Sequence, residues 1–230
     1  LYTEMIVANA IIRGDRQKLL SFKKISNPVT LQVGGSNPDE LAEACKISED
    51  YGYNEINLNL GCPSKKVQKN KFGACLMQEP DLVGKCIEAM TKATKLPVTI
   101  KTRIGYNEVE DLEFLKSFIQ ITKDAGSTKF IIHARKALLK KLSPKENLNI
   151  PPLKYEFVYK LKEHFKNDEI IINGGIKSTN DIKEHLLKVD GAMIGRAVYH
   201  SPYFLAEIEK EIFKNKEVPS RTEVMENLIP

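Results

Sequence analysis

Residues 55–64 read EINLNLGCPS, a short alternating segment that runs directly into a tight turn. Three apolar residues alternate with Asn57 and Asn59, so a strand here would place both carboxamides on one face. The Gly-Cys-Pro turn that follows would hold the thiol of Cys62 at the strand end, beside amides that can hydrogen-bond a planar polar ligand. Buried structural cysteines usually lie in the middle of apolar runs, as Cys45 and Cys86 do in this chain, and Cys62 does not. Cys62 is therefore predicted to have a chemical role rather than a packing role.

The composition is that of an ordinary globular domain. The chain has 230 residues, 42% of them hydrophobic and 28% charged, enough for one domain with a large core. No apolar run approaches the ~20 residues that span a bilayer, so no membrane association is expected. The four cysteines show no C-x-x-C spacing, which predicts neither a metal site nor a disulfide framework. Unpaired cysteines without a visible signal peptide favour the cytoplasm, although organellar targeting stays open.

The positive charge is concentrated in two segments. Residues 64–71 carry four lysines and no acid, and residues 134–150 carry five basic residues against Glu146. The whole chain has a net charge of +5, so the remainder is slightly acidic. Two basic loops on such a body indicate a polyanionic partner, although lysine-rich loops can also be merely solvated.

Strand-like and helix-like segments alternate along the whole chain, which predicts a parallel α/β fold. The predicted strands are Tyr2–Val7, Val29–Val33, Glu55–Leu60, Val98–Arg103, Lys129–His133, Ile170–Asn173 and Gly191–Ile194. The predicted helices include Pro38–Asp50, Glu110–Lys123, Leu153–Phe165 and Ser178–Lys188.

Two parallel architectures fit this alternation, a doubly wound sheet and a TIM (β/α)8 barrel. The G-x-G-x-x-G turn of a dinucleotide-binding sheet is absent from the sequence. Polar residues instead recur at successive strand ends, where barrels keep their active sites. We therefore predict a TIM barrel. Because only seven units are evident, its first strand is expected to be missing from this chain. The barrel is assigned to residues 1–217 and the start of a C-terminal helical segment to residues 218–230.

Two glycine turns follow the last two predicted strands. The first is Asn173-Gly174-Gly175 and the second is Gly195-Arg196. Barrels often bind phosphate through these loops, because glycines let backbone N–H groups approach the oxygens and an arginine can clamp them. The alternative is that the glycines only make tight turns.

Three further residues at strand ends are candidates for chemistry. Burial of the Lys101 side chain near the end of a core strand costs free energy unless the ammonium group contacts an anion or an electron-rich ring, or extends to the barrel mouth. His133 after an apolar strand is either a satisfied rim residue or a ligand contact. Cys62 is a nucleophile if a base lies beside it, or a general acid if its thiol stays protonated.

The sequence resembles the tRNA-dihydrouridine synthases through most of its length. The matching motifs are LYTEM at 1–5, LQVGG at 31–35, EINLNLGCPS at 55–64, FGACLM at 72–77, KTRIG at 101–105, HARKA at 133–137, LSPKEN at 142–147 and INGGIKS at 172–178. The loop with Ser143-Pro144-Lys145 is similar to the A-type branch, the tRNA-dihydrouridine(20/20a) synthases.

The resemblance implies an FMN-dependent barrel that uses NADPH to reduce the C5–C6 bond of uridine in the tRNA D-loop. The family's proton-donating cysteine corresponds to Cys62, and its tRNA contacts to Asn59 and Lys145. We add Arg103, at the same strand ends, to the predicted substrate-binding residues. The C-terminal segment would begin the family's helical tRNA-binding domain. Family flavin contacts correspond to Gln32, Lys101, His133, Asn173, Gly174, Gly175, Gly195 and Arg196.

The sequence departs from the A-type pattern at Leu148, where this branch often has an arginine. Two other functions remain open. One is an FMN barrel that acts on a free pyrimidine, like a dihydroorotate dehydrogenase, against which the two basic loops argue. The other is a non-catalytic tRNA-binding protein on a flavoenzyme scaffold, against which the presence of Cys62, Lys101 and His133 argues.

Overall fold

The computed structural model describes residues 1–23, 28–139 and 142–227. These residues form one sheet of seven parallel strands, arranged in chain order. The strands are β1 (Ile6–Val7), β2 (Thr30–Gly34), β3 (Glu55–Asn59), β4 (Val98–Arg103), β5 (Lys129–His133), β6 (Glu169–Asn173) and β7 (Gly191–Met193).

Helices follow the strands along the chain. They are α1 (Ala8–Arg13), α2 (Arg16–Leu20), α3 (Pro38–Glu49), α4 (Lys65–Lys69), α5 (Pro80–Ala93), α6 (Leu112–Asp124), α7 (Pro144–Asn147), α8 (Tyr155–His164), α9 (Thr179–Leu186), α10 (Arg196–His200), α11 (Phe204–Glu211) and α12 (Arg221–Glu226), with a 3-10 helix at Gly73–Gln78. The longer helices, such as α3, α5, α6 and α8, bury one side against the sheet. Strand-helix alternation around one parallel sheet is the α/β architecture of a TIM barrel, as predicted.

The alternation within β3 explains which side chains face the barrel interior. Ile56 and Leu58 are fully buried and belong to the core between sheet and helices. Asn57 and Asn59 face the other way and bond to side chains of β2 and β4. The outer face of β3 therefore packs against the helices, and its inner face carries the amides.

The predicted strands agree with the structure within one residue, except the first. Of the predicted Tyr2–Val7, only Ile6–Val7 is strand, and Tyr2 makes an isolated bridge to Thr30. Tyr2 and Ile6 are four residues apart, whereas their partners in β2, Thr30 and Val33, are three apart. The extra residue interrupts the ladder, and the hydroxyl of Thr3 accepts the β2 backbone N–H of Gln32 instead.

The predicted helices begin and end close to the observed ones. Asn37 caps α3 by accepting from the backbone N–H groups of Asp39 and Glu40. In the predicted segment 218–230, Ser220 caps α12 with a capping box, and residues 228–230 lie outside the described part. The missing first strand and the further C-terminal domain remain predictions. Within the described ranges, no helix combines the length and apolar character needed to span a bilayer.

Candidate active site

The turn that carries Cys62 is held by the side chain of Asn59. Its Oδ1 accepts the backbone N–H of Gly61 at 3.1 Å and that of Cys62 at 2.9 Å. The carbonyl of Cys62 accepts the N–H of Ala74 at 2.9 Å. At Gly73, with φ of 74°, an added Cβ would approach that carbonyl to 2.7 Å. The half-buried thiol of Cys62 is thus carried by a backbone fixed on both sides.

Arg103, predicted to bind substrate, is buried and bonded to three backbone carbonyls. Its Nε donates to Gly61 at 2.8 Å, and its Nη1 donates to Lys136 at 3.1 Å and to Asn147 at 3.3 Å. Burial lowers the pKa of Arg103 to about 10, although the thiol of Cys62 opposes the shift. These contacts give Arg103 a role in joining the cysteine turn to the loop after β5.

The inner amides of β2 and β3 form a connected row. Asn59 Nδ2 donates to Gln32 Oε1 at 2.8 Å, and Gln32 Nε2 donates to Asn57 Oδ1 at 2.9 Å. Gln32 and Asn59 line a cavity with Cys62, as expected. Asn57 does not, because it is fully buried and bonded to Thr99. The expectation that both asparagines of β3 face a ligand is therefore wrong for Asn57.

Lys101 and Asn173 meet across the barrel interior. Lys101 Nζ donates to Asn173 Oδ1 at 2.9 Å, and Asn173 Nδ2 donates to the carbonyl of Met193 at 2.8 Å. Burial, followed by the charge of Arg103, lowers the pKa of Lys101 to about 8. A cation held without a carboxylate partner favours an anionic or electron-rich ligand.

His133 is the least satisfied polar side chain of the site. It is 7% exposed, and its Nε2 is buried without a hydrogen-bond partner among the described residues. Burial lowers its pKa to about 2, and the charges of Arg103, Lys101, Arg135 and Arg196 add to the shift. The ring is therefore neutral, and a bound ligand would complete its hydrogen bonding.

The turn after β6 leaves no room for side chains. Gly174 and Gly175 have φ of 115° and 75°. A Cβ on Gly174 would lie 3.0 Å from the ring of His133, and one on Gly175 would lie 2.5 Å from Leu153. Tyr155 donates to the carbonyl of Gly174 at 2.8 Å and fixes the turn from outside. Both glycines are thus required by backbone conformation and by close packing.

The second glycine turn is more open. Gly195 has a φ of −122°, and a Cβ there would meet nothing within 4 Å. Arg196 is exposed and donates from Nη1 to Asn149 Oδ1 at 2.9 Å and from Nη2 to the carbonyl of Leu148 at 3.4 Å. Arg196 therefore contacts the loop after β5 and also lines the cavity at the glycine turns.

Two adjoining cavities connect these groups. One, of about 640 Å³, is lined by both glycine turns and Arg196. The other, of about 330 Å³, is lined by Gln32, Asn59, Cys62 and Arg103. Lys101, His133, Leu148 and Met193 line both. The structure thus brings together every predicted site residue except Lys145, which is exposed on α7, beside the smaller cavity's lining residue Pro144.

The two basic segments meet at the rim of the smaller cavity. Lys65, Lys66, Lys69 and Lys71 are all exposed. In the second segment Lys136 pairs with Glu110 at 3.2 Å, and Arg135 donates to the carbonyls of Asn149 and Pro151. Lys145 is exposed, and Lys140 and Lys141 of the same basic segment lie outside the described residues.

Two anchoring residues of these loops were not predicted. Gln68 Nε2 donates to the carbonyls of Pro63 at 2.7 Å and Leu139 at 2.8 Å. Asn147 Nδ2 donates to the carbonyls of Leu138, Leu142 and Ser143. For Asn147 the sequence offered one indication, the Ser-Pro-x-Glu helix cap that precedes it. For Gln68 it offered none, because the neighbouring lysines indicate only an exposed basic loop. The described residues hold no cluster of three metal-binding side chains.

Comparison with known proteins agrees with this geometry. Residues 1–229 match the family model described as dihydrouridine synthase. A tRNA-dihydrouridine(20/20a) synthase of Synechocystis is 53% identical over 100% of this chain and 69% of its own length. The enzyme of the same name from Vibrio parahaemolyticus is 49% identical, over 100% of this chain and 71% of its own. A candidate lyase/mutase from Burkholderia cenocepacia shares the fold, with a TM-score of 0.51 and 15% identity over 88% of this chain and 70% of that one.

Proposed function

Because this chain belongs to the dihydrouridine synthase family of flavin-dependent oxidoreductases, we propose that it reduces uridine in the D-loop of tRNA, with FMN as cofactor and NADPH as reductant. The proposal places the flavin in the larger cavity and the uracil in the smaller one. A cytoplasmic location is part of the proposal.

The residues of the larger cavity fit a flavin. Among the residues that the structure describes, the buried Nε2 of His133 has no hydrogen-bond partner and Lys101 bonds to no carboxylate. Lys101, His133 and Asn173 of this cavity would contact the ring, together with Gln32 of the adjoining smaller cavity, and a lysine there stabilises negative charge. Gly174, Gly175, Gly195 and Arg196 would hold the phosphate. Bound FMN, once reduced by NADPH, would supply the hydride that C6 of uracil accepts.

Cys62 then supplies the proton. Its thiol lines the smaller cavity with Asn59 and Arg103, and no side chain of the described residues forms a nucleophile's triad with it. We assign it as a general acid that transfers its proton to C5 of uracil, while the nearby cations Lys101 and Arg103 stabilise the thiolate left behind. Solvent at the open cavity restores the proton.

The exposed lysines of residues 65–71, together with Lys145, would bind the tRNA backbone. Gln68 and Arg103 tie the two loops that carry these lysines to the cysteine turn, on the side of the barrel where the smaller cavity lies. Uracil has to leave its stack to enter that cavity, and a flexible D-loop lowers this cost.

The observation that carries the proposal is the position of Cys62, in a cavity that shares Lys101 and His133 with the cavity at the glycine turns. The test is to incubate the purified chain with FMN, NADPH and unmodified tRNA and to measure dihydrouridine by mass spectrometry. We expect bound FMN and dihydrouridine in the D-loop. Reduction of free uracil or orotate, but not of tRNA, would favour a pyrimidine dehydrogenase. Binding of tRNA with neither flavin nor product would favour a non-catalytic protein.

A further inference from the structure

A continuous row of side-chain hydrogen bonds runs inside the barrel from the cysteine turn to the opposite ends of the strands. Beyond the amides of Asn59, Gln32 and Asn57, it continues to Thr99 and Glu55. Asn57 Nδ2 donates to Thr99 Oγ1 at 2.9 Å, and Thr99 Oγ1 donates to Glu55 Oε1 at 2.7 Å. Glu55 is the first residue of β3, whereas Cys62 lies beyond its last, so the row spans the length of the strand.

The carboxylate fixes the direction of donation from one end. An ionised carboxylate only accepts, and a threonine hydroxyl has one proton to give. Since Thr99 donates to Glu55, it can only accept from Asn57, whose nitrogen must therefore face it. The oxygen of Asn57 then faces Gln32 and accepts from its nitrogen. Gln32 in turn places its oxygen toward Asn59.

The backbone fixes the same direction from the other end. The N–H groups of Gly61 and Cys62 only donate, so the oxygen of Asn59 must face them. Its nitrogen is then left to donate to Gln32. Every member donates in one sense, from the cysteine turn toward Glu55, and hydrogen bonds aligned in this way polarise one another.

Glu55 is itself held as an acceptor of three donors. Tyr2 donates to Oε1 at 2.9 Å and Lys129 to Oε2 at 2.9 Å, in addition to Thr99. Burial acts to lower the pKa of Lys129, but the hydrogen bonds and charges of Glu55 and, to a smaller extent, Glu169 together outweigh it, so the pKa is raised. Lys129 also contacts Glu169 at 3.5 Å, and within the described residues Glu169 makes no hydrogen bond to Thr99 or to the amides of the row.

We propose that Glu55, at the end of the barrel opposite Cys62, is a positioning residue that holds the amides of Asn57 and Gln32 in one orientation, while the backbone N–H groups of the cysteine turn hold Asn59 from the other end. In this orientation the nitrogen of Gln32 faces Asn57 and its oxygen faces Asn59. The orientation also decides where Gln32 presents a hydrogen-bond donor and where an acceptor to the smaller cavity. The effect on a bound flavin rests on the proposed function, whereas the orientation of the amides does not.

The test measures hydrogen exchange of the side-chain amide protons of Gln32, Asn57 and Asn59 by NMR, in the full chain labelled with ¹⁵N and without flavin. Glu55→Leu removes the acceptor at the end of the row, and Thr99→Val breaks the row without changing charge or shape. In both variants the amide protons of Asn57 and Gln32 should exchange about tenfold faster, the factor that corresponds to one lost hydrogen bond of ~1.4 kcal/mol.

Two matched controls separate this effect from general destabilisation. Glu169→Leu removes the other carboxylate beside Lys129 and leaves the row intact. Thr122→Val makes the same substitution at a threonine that is fully buried and donates to the carbonyl of Ile119 within α6. Exchange in both controls should match the unsubstituted protein. If Glu55→Leu does not fold, Thr99→Val alone decides the outcome.

The proposal is overturned if Glu55→Leu leaves amide exchange within about twofold of the unsubstituted protein, whatever Thr99→Val does, because the cysteine turn alone would then set the orientation. FMN titration of the same proteins provides the second measurement. The dissociation constant should rise about tenfold in both variants and in neither control. An unchanged constant in the variants would also overturn the proposal. If the unsubstituted protein binds no FMN, the proposed function fails, and the amide exchange still decides the role of Glu55.

Discussion

The two turns that frame the site, the one at residues 59–62 and the one at residues 173–175, are stabilised in different ways. Hydrogen bonds from Asn59 and Arg103 already satisfy the cysteine turn without any ligand. Beside the glycine turn, by contrast, His133 Nε2 is buried without a partner in the described part of the chain. The difference teaches that the protein's own side chains hold the backbone around Cys62, whereas the other half of the proposed site keeps a polar atom that a ligand would satisfy.

The largest expected effect concerns the cysteine turn. Cys62→Ala should slow dihydrouridine formation in tRNA roughly 10²–10⁴-fold, the usual contribution of a general acid. FMN affinity should stay unchanged, because the sulfur lines the other cavity. Cys75→Ala is the control, since Cys75 donates to the carbonyl of Phe72 and packs on a separate small cluster. Equal losses in both variants would mean that the thiol has no specific role.

The glycine turn is tested by two substitutions that differ only in backbone context. Gly175→Ala puts a Cβ at a φ of 75° and 2.5 Å from Leu153, whereas Gly195→Ala meets nothing within 4 Å. We expect Gly175→Ala to lower the free energy of unfolding by about 1–3 kcal/mol and Gly195→Ala to change it by less than about 0.5 kcal/mol. Urea unfolding measures both. Similar values for the two would contradict the close packing of the first turn.

The unpartnered histidine predicts a pH dependence of stability. The pKa of His133 is lowered from 6.5 to about 2 by burial and by the surrounding cations, so the unfolded chain binds a proton that the folded chain does not. The stability that depends on a neutral His133 is therefore fully present above pH 6.5, and the free energy of unfolding decreases as the pH falls below that value. The slope is at most about 1.4 kcal/mol per pH unit.

Urea unfolding between pH 7 and pH 5, without added flavin, should show a shallower decline in His133→Asn than in the unsubstituted protein. His164→Asn, at an exposed position of α8, is the control and should leave the decline unchanged. Parallel curves for all three proteins would show that His133 is not held neutral by the fold.

The smallest expected effect concerns the rim. Lys66→Gln should weaken tRNA binding several-fold and reduce the slope of log K against log salt by about one unit. Lys92→Gln removes an equally exposed lysine from α5, where Lys92 pairs with Glu88. This control should leave the slope unchanged. A slope that responds equally to both substitutions would argue against a specific site for tRNA at the cysteine turn.

The local sequence was sufficient to predict elements whose pattern is self-contained. β4 and β5 follow from runs of alternating or apolar residues, and the start of α3 from Asn37-Pro38. Gly174 and Gly175 could be identified because a tight turn after a strand needs a residue that tolerates positive φ. Contacts of this kind are decided within a few neighbouring residues.

Contacts between strands could not be predicted in this way. The interpretation of Asn57 as a ligand contact failed because Thr99 and Gln32, 42 and 25 residues away, bond both ends of its amide. The carbonyls that Arg103 bonds belong to loops at Gly61, Lys136 and Asn147, which its position in the sequence did not indicate, and its contact with substrate stays a prediction. β1 is short because the hydroxyl of Thr3 accepts the backbone N–H of Gln32, a donor of β2 that would otherwise bond to the β1 backbone. Each of these outcomes depends on register between distant segments.

The most direct test of the account separates the two half-reactions in Cys62→Ala by stopped-flow absorbance of the flavin. Reduction of bound FMN by NADPH should proceed at the rate of the unsubstituted enzyme, because it needs no proton on uracil. Reoxidation by unmodified tRNA should be slowed roughly 10²–10⁴-fold. Reoxidation at the unsubstituted rate would contradict the assignment of Cys62 as the proton donor and, with it, the division of the site into its two halves.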